Sequence, residues 1–422
     1  MNPRKIYKLI VLLLILLGNS ACIKEKNRNE TADIFSPVNI KIEKPDISSL
    51  QPLLLSEFAD SIEYIQLETS DQCLLPPYIG TFLTHDFIFI KTDYKLYQFD
   101  RKGKFIRQIG REGNGPGEFK LNKCGFDEEN QRIFVKSYTN ASPLIFDFNG
   151  KFLGNIKDSL INSCFGGMEH FDAGAGFLIY TIHPMDVNHQ WAGKPYELIV
   201  YDYVGDKVTQ TLINRFECKV ENARQLNMIR PGLQTLTKSD SLFYYHSFYN
   251  DTLYAVSNTG IQPFAVVDFG KYKNRNNGWI YSKDPNTITD AFAGKMRIVD
   301  MFVCNNNIFL GIFLGKVDHA VESFLCKYDI ANKKLTYHSY MVINDIDGCQ
   351  NIDISGLNTG IETIINPEEL EDKEIKIALV YSTLDKNKLK NPEQKEKFEL
   401  MLKENIEKED NPILMILHMK KK

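Results

Sequence analysis

Two imidazoles and a carboxylate fall close together at His183, Asp186 and His189, in the stretch Ile182-His183-Pro184-Met185-Asp186-Val187-Asn188-His189-Gln190-Trp191. Those side chains are ligands that a transition metal takes. Their spacing fits no helical metal motif, which needs two histidines at i and i+4 on one face. Ordinary loop histidines beside a proline are the competing reading. A second group of oxygen ligands is Asn344-Asp345-Ile346-Asp347-Gly348. Asp345 and Asp347, alternating and followed by glycine, match the first half of a calcium loop. The bidentate glutamate that closes such a loop is absent, which excludes a full EF-hand. A looser calcium site and a plain Asx turn are left. Beyond these two metal readings the chain suggests no cofactor.

Aromatic rings supply the other chemistry. Trp191, Trp279 and Tyr281 stand in polar, loop-like surroundings where an exposed ring is costly, and Tyr244-Tyr245 adds a pair. Such rings stack on sugars or peptides. Covalent catalysis finds less support. The eight histidines are scattered, and neither a Gly-x-Ser-x-Gly elbow nor a local Cys-His signature occurs. The stretch Ile109-Gly110-Arg111-Glu112-Gly113-Asn114-Gly115-Pro116-Gly117-Glu118-Phe119 is no phosphate cradle despite its glycines. Pro116 removes an amide, the Gly-Lys-Ser/Thr ending is missing, and no helix follows. Gly113, Gly115 and Gly117 instead mark a structural crossover, with Glu118 placed to cap its amides.

The elements that position these groups come from a repeated phrase. Tyr97-Gln98-Phe99-Asp100-Arg101-Lys102-Gly103-Lys104-Phe105-Ile106 recurs as Leu144-Ile145-Phe146-Asp147-Phe148-Asn149-Gly150-Lys151-Phe152-Leu153. Two period-2 strands joined at a tight turn make a β-hairpin. Further copies turn at Asp202 to Gly205, Ser257 to Gly260 and Asp329 to Asn332, where Asn stands in for Gly. Hairpins recurring every few dozen residues indicate a propeller. The expectation is an all-β, six-bladed β-propeller over residues 56–422, with four-stranded blades. Ser61 to Glu68 is expected to pair with Ile413 to Met419 and close the ring. Residues 271–300 read as a long loop between blades. Residues 385–410 are charge-dense and read as an inserted helix, with Asn391 as N-cap, Pro392 at the first turn, and Phe398, Leu400, Met401, Leu402 and Ile406 on its apolar stripe.

The N-terminus carries an address. Arg4, Lys5 and Lys8 precede an apolar run, Leu9 to Leu17, too short to span a bilayer. Gly18-Asn19-Ser20-Ala21-Cys22 follows, so residues 1–21 read as a lipoprotein signal, Cys22 as the lipidated residue and 22–55 as a tether. Removing residues 1–21 takes away three positive charges and no acidic ones, so the net charge of −4 becomes −7. That balance excludes the basic footprint of a nucleic-acid binder. With Cys22 set aside, the other cysteines are widely spaced and read as buried thiols, with one or two disulfides open as an alternative.

Four phrases together resemble the six-bladed β-propeller lipoproteins of Gram-negative gut anaerobes, whose repeats are similar to the NHL type. They are Leu67-Glu68-Thr69, the Gly-Pro-Gly-Glu-Phe crossover at 115–119, Asn344-Asp345-Ile346-Asp347-Gly348, and Asn411-Pro412-Ile413-Leu414. The resemblance implies the fold and an outer-membrane address, on the periplasmic face or the cell surface. It brings no catalytic residues. Function then reads as a membrane-anchored envelope propeller that binds an envelope protein, a glycan or a peptide. The alternative is a metal-dependent hydrolase or lyase acting on envelope glycan or peptide.

Overall fold

The aspartate-led hairpins recur as the outer pairs of a series of antiparallel sheets. In the computed structural model the described residues are 36–76, 80–92, 94–140, 142–163, 168–182, 196–213, 235–239, 242–247, 250–273, 294–315, 321–349, 351–352, 362–365, 389–408 and 411–420. The first sheet runs Gly80–Leu83, Phe87–Lys91, Leu96–Asp100, Phe105–Ile109. The second runs Leu121–Asp127, Arg132–Ser137, Leu144–Asp147, Phe152–Asn155. The third runs Met168–Gly174, Phe177–Ile182, Tyr196–Asp202, Lys207–Ile213. The fourth runs Thr235–Ser239, Leu242–His246, Thr252–Ser257, Gly260–Asp268, and the fifth Met296–Cys304, Asn307–Gly315, Val321–Asp329, Lys334–His338. The sixth sheet joins Glu362–Ile365, Ile413–Met419 and Ala59–Gln66, three strands among the described residues.

Each sheet packs face to face on the next through one apolar layer. Phe89 and Ile109 meet Phe126 and Val135 between the first and second sheets. Phe134 meets Tyr180 and Ile199 at the next seam, and Phe177 and Val200 meet Phe243 and Tyr245 at the third. Leu253 and Ala265 meet Ile308 and Phe324, and Phe309 and Leu325 then meet Ile62 and Met415. Ile65 and Ile416 of the sixth sheet return to Ile88 and Phe99 of the first. The succession closes on itself, and the chain is a multi-bladed β-propeller. Ring closure falls where the pattern predicts it: Ile413 pairs with Gln66 and Leu417 with Ile62.

The outer turns differ in length, and the fourth sheet's is the shortest, with Ser257 paired directly to Gly260. Gly103 and Gly150 hold φ of 82° and 80°, and the carboxylate of the leading Asp100 or Asp147 accepts the amides two and four residues on. At the third and fifth sheets the strands pair Asp202 with Lys207 and Asp329 with Lys334, one residue longer. The left-handed position therefore falls on Asp206 and Lys333, both at φ 52°, rather than on Gly205 or Asn332. Gly205 is held small for another reason: a Cβ there would sit 2.5 Å from Asp202 Oδ2.

Three expectations shift. The segment read as tether joins the fold from Val38. Val38–Lys41 adds in parallel to Gly260–Asp268, Ile40 and Ile42 are buried, and Leu53–Leu54 pairs with Val342–Ile343. Burying alternate apolar residues on an open sheet edge outweighs the polar, proline-broken composition. Residues 296–300, read as loop, open a nine-residue strand. On the helix Pro392–Lys408, Phe398 and Leu402 are buried but Leu400 is 60% exposed, because 398 and 402 share the face that meets the sheet and 400 lies across the axis. Among the described residues no helix is long and apolar enough to cross a membrane.

The free cysteines Cys73, Cys124, Cys326 and Cys349 are buried, and burial pushes the Cys124 thiol up to about 12. His246 is buried at the end of a strand, where Nε2–H donates to Asn250 O at 2.8 Å and burial pushes its pKa down to about 4. Unfolding returns it to about 6.5, so the folded state loses stability as pH falls from about 6.5 to about 4, by about 3 kcal/mol in total. Urea titrations at pH 7.5 and 4.5 check this. His246→Gln is expected to shrink the difference between them, and an unchanged difference would refute the assignment.

Candidate functional site

The Asn344 to Gly348 loop puts its carboxylates to structural use. Asp345 Oδ1 accepts the Ser56 amide at 2.8 Å and Oδ2 the Ser56 hydroxyl at 2.5 Å. Asp347 Oδ2 accepts Tyr64 OH at 2.8 Å, while Oδ1 accepts Asn344 Nδ2 and the Cys349 amide. Burial, with the Asp347 charge behind it, pushes the Tyr64 hydroxyl far above its ordinary value, so it stays a donor. The loop's own carbonyls receive the amides of Lys390 and Asn391, which lead into the helix. Among the described residues no group of three or more His, Cys, Asp or Glu is placed to hold a metal ion.

The glycine-rich crossover is built around Glu118. Its carboxylate accepts the Gly115 amide at 2.9 Å and Arg111 Nε at 2.6 Å, and those two partners hold its pKa below the usual carboxylate range. A Cβ on Gly113 would collide with that carboxylate, and one on Gly117, at φ 76°, would sit 2.9 Å from Phe152 Cβ. Gly115 lies against the same group. Phe119 is buried, edge-on to Phe146 at 5.6 Å.

This crossover delivers the chain to the start of the second sheet's innermost strand, and an exposed aromatic corner stands there. Tyr94, in the turn after Phe87–Lys91, and Tyr138, after Arg132–Ser137, meet edge to face at 6.3 Å with planes at 73°. They are 42% and 62% exposed. Lys120 Nζ sits 3.9 Å over the Tyr94 ring. Backbone bonds fix the corner, since the Leu121 amide donates to Tyr94 O and the Tyr138 amide to Lys120 O. Buried Ser137 ties it down: its hydroxyl donates to Lys120 O and accepts the Lys120 and Thr139 amides. In an antiparallel meander the second-to-third connections and the crossovers leave from one end. Tyr94, Tyr138 and the 110–119 crossover therefore share a face, opposite the aspartate turns.

A sequence profile of the family described as a domain of unknown function, DUF4934, matches residues 37–418. The chain belongs to that family. The DUF4934 chain is similar to a crystal structure from Bacteroides fragilis NCTC 9343, described as that of an exported protein. The two are 16% identical over 92% of this chain and 100% of the other, with a TM-score of 0.55. A DUF4221-family structure from Bacteroides vulgatus is 10% identical over 86% of this chain and 98% of its own, with a TM-score of 0.43. At these identities the likeness is one of fold. No curated protein matches the chain.

Of the residues singled out from the DUF4934 sequence, Cys22, His183, Asp186, His189, Trp191, Trp279 and Tyr281 lie outside the described residues. Tyr244 and Tyr245 are not available for stacking on a ligand: both are buried in seams between sheets, as alternate positions of a central strand must be. Tyr94 and Tyr138 escaped the sequence reading because each is a lone tyrosine in a turn. Only the pairing of neighbouring sheets brings them together.

Proposed function

We propose that this DUF4934 propeller is a lipid-anchored envelope protein, held through Cys22, that recognises a glycan or peptide ligand on its loop face. The exposed corner of Tyr94 and Tyr138 carries the reading. Two large rings held open to solvent on a fixed backbone form a stacking platform that needs little ordering on binding. The n-region, short apolar run and terminal cysteine of residues 1–22 support the anchor, and the exported description of the B. fragilis neighbour supports an address outside the cytoplasm.

Two experiments test it. Cys22→Ala is expected to abolish incorporation of a labelled fatty acid; continued labelling would remove the anchor. For recognition, the mature chain is heated with a panel of glycans and peptides, since a ligand bound only by the folded state raises the melting temperature. The double variant Tyr94→Ala/Tyr138→Ala is expected to melt like the parent and lose the ligand-induced rise. A rise that survives both substitutions overturns the placement of the site.

A further inference from the structure

The fourth sheet shows what this fold does with an open edge. Its outer strand Gly260–Asp268 has one residue too many for its partner, Phe264, and Val38–Lys41 pairs in parallel with the four residues that follow it. The Ile42 amide then donates to Asp268 O and prolongs the pairing. Ala265 and Val267, under the added strand, are buried, as are Ile40 and Ile42. The third sheet is built alike and stops one strand earlier. Its outer strand Lys207–Ile213 has an extra residue of its own, Thr209, followed by Gln210–Ile213. Among the described residues no backbone group of this strand bonds beyond its pairing with Tyr196–Asp202. Leu212, turned to the seam with the fourth sheet, is only half-buried, as is Ile261 of that sheet. Ile213 is 57% exposed at the strand's end, and Val204 is 74% exposed in the turn that opens it. Past Lys207 the strand carries no charge.

Open edges are commonly shielded by charge, shortness or cover, and the other outer strands are. Phe105–Ile109 carries Arg107, Ala59–Gln66 carries Asp60 and Glu63, and Phe152–Asn155 is four residues long. Lys334–His338 meets the N-terminal segment, whose Glu43 amide donates to Tyr337 OH and whose Gln51 carbonyl accepts the Ser339 amide. We infer that the third sheet's outer edge takes a strand from another protein: an extended segment with apolar side chains at alternate positions, added as Val38–Lys41 is added to the fourth sheet. The edge is continuous with that interface, since Lys207–Ile213 lies against Gly260–Asp268. Backbone bonds along Gln210–Ile213 hold the segment, and its apolar residues cover Leu212 and select it. Edge-to-edge pairing of two copies would match only these four residues a side, far short of the roughly 1,000 Å² that a stable dimer buries. The occupant is therefore a peptide strand.

The probe is a labelled peptide of residues 37–43, Pro37-Val38-Asn39-Ile40-Lys41-Ile42-Glu43, titrated into the mature chain. Binding is expected, with slowed amide hydrogen exchange in Lys207–Ile213. The same peptide N-methylated at Ile40 and Ile42 is expected to bind at least about tenfold more weakly, because the strand loses its donors. Ile213→Lys and Leu212→Glu are each expected to weaken binding of the unmodified peptide to the same degree. Melting curves report whether each variant folds, and Ile213→Lys changes only an exposed side chain. Absence of binding, or binding indifferent to both substitutions, overturns the proposal. Exchange slowed only in Gly260–Asp268 would mean that the probe displaces the chain's own strand, and overturns it too. Binding lost with Tyr94→Ala/Tyr138→Ala and kept with Ile213→Lys would place the peptide at the tyrosine corner instead. Self-association without probe, abolished by Ile213→Lys, would make a second copy the occupant and overturn the peptide strand.

Discussion

Asn411→Ala is expected to destabilise the protein by about 3–5 kcal/mol, more than a typical single substitution. The side chain is buried where the two ends of the described chain meet. Its Nδ2 donates to Glu68 O at 2.6 Å and Cys73 O at 2.8 Å, and its Oδ1 accepts the Leu75 amide at 2.9 Å. Its backbone is held from both sides, the amide donating to Thr69 Oγ1 and the carbonyl accepting Gln66 Nε2 and Asn405 Nδ2. Alanine would take away the partner of three backbone groups, the buried Cys73 carbonyl and the part-buried Glu68 carbonyl and Leu75 amide, two residues before the closing strand Ile413–Met419. The sixth sheet, and with it the ring, depends on that strand lying against Ala59–Gln66. Urea denaturation followed by tryptophan fluorescence and far-ultraviolet circular dichroism checks it. A midpoint within error of the parent would show that Asn411 is not the clasp.

Gly103→Val is expected to come close behind, at about 3–4 kcal/mol. Gly103 holds φ of 82°, which a β-branched residue resists, and an added Cβ would overlap Gln66 O and sit 2.9 Å from Ile65 Cγ2. The obstacle is backbone, so no side chain can swing aside. The Gly103 carbonyl also accepts the Glu68 amide at 2.8 Å, which fastens the first sheet's outer turn to the closing strand. Gly150, with nearly the same φ of 80°, faces side-chain carbons rather than backbone, Ile109 Cδ1 at 3.3 Å and Arg107 Cδ at 3.5 Å from where its Cβ would be. Gly150→Val thus keeps the backbone penalty and relieves the clash, and it should cost clearly less than Gly103→Val. Equal losses would show that closure plays no part.

The four phrases behind the family resemblance turn out to be joints. Leu67-Glu68-Thr69 and Asn411-Pro412 bind each other across the clasp. Asn344 to Gly348 binds Ser56, Tyr64 and the entry to the helix, where Phe398 stacks on Tyr64 at 4.3 Å. The Gly-Pro-Gly-Glu-Phe phrase shapes the crossover into the second sheet. Asp345 and Asp347, grouped from sequence as possible calcium ligands, were legible as a loop because Asn, Asp and Gly at that spacing cap their own backbone. Their distant partners, Ser56 and Tyr64, lie nearly three hundred residues away in sequence and were not legible.

Local sequence by itself determined the strands, the two that meet at the ring closure among them, the aspartate-led turns and the helix start at Asn391-Pro392. Each of these depends on alternation, on φ preferences or on capping within about ten residues. Tertiary structure alone decided that Val38–Lys41 serves as an added edge strand, that Tyr244 and Tyr245 are buried, and that Tyr94, Tyr138 and Lys120 form one exposed corner. Those outcomes depend on which sheet stands beside which. Burial is set by the neighbouring surface, and a ring buried between two sheets differs from a ring at their rim only once the sheets have packed.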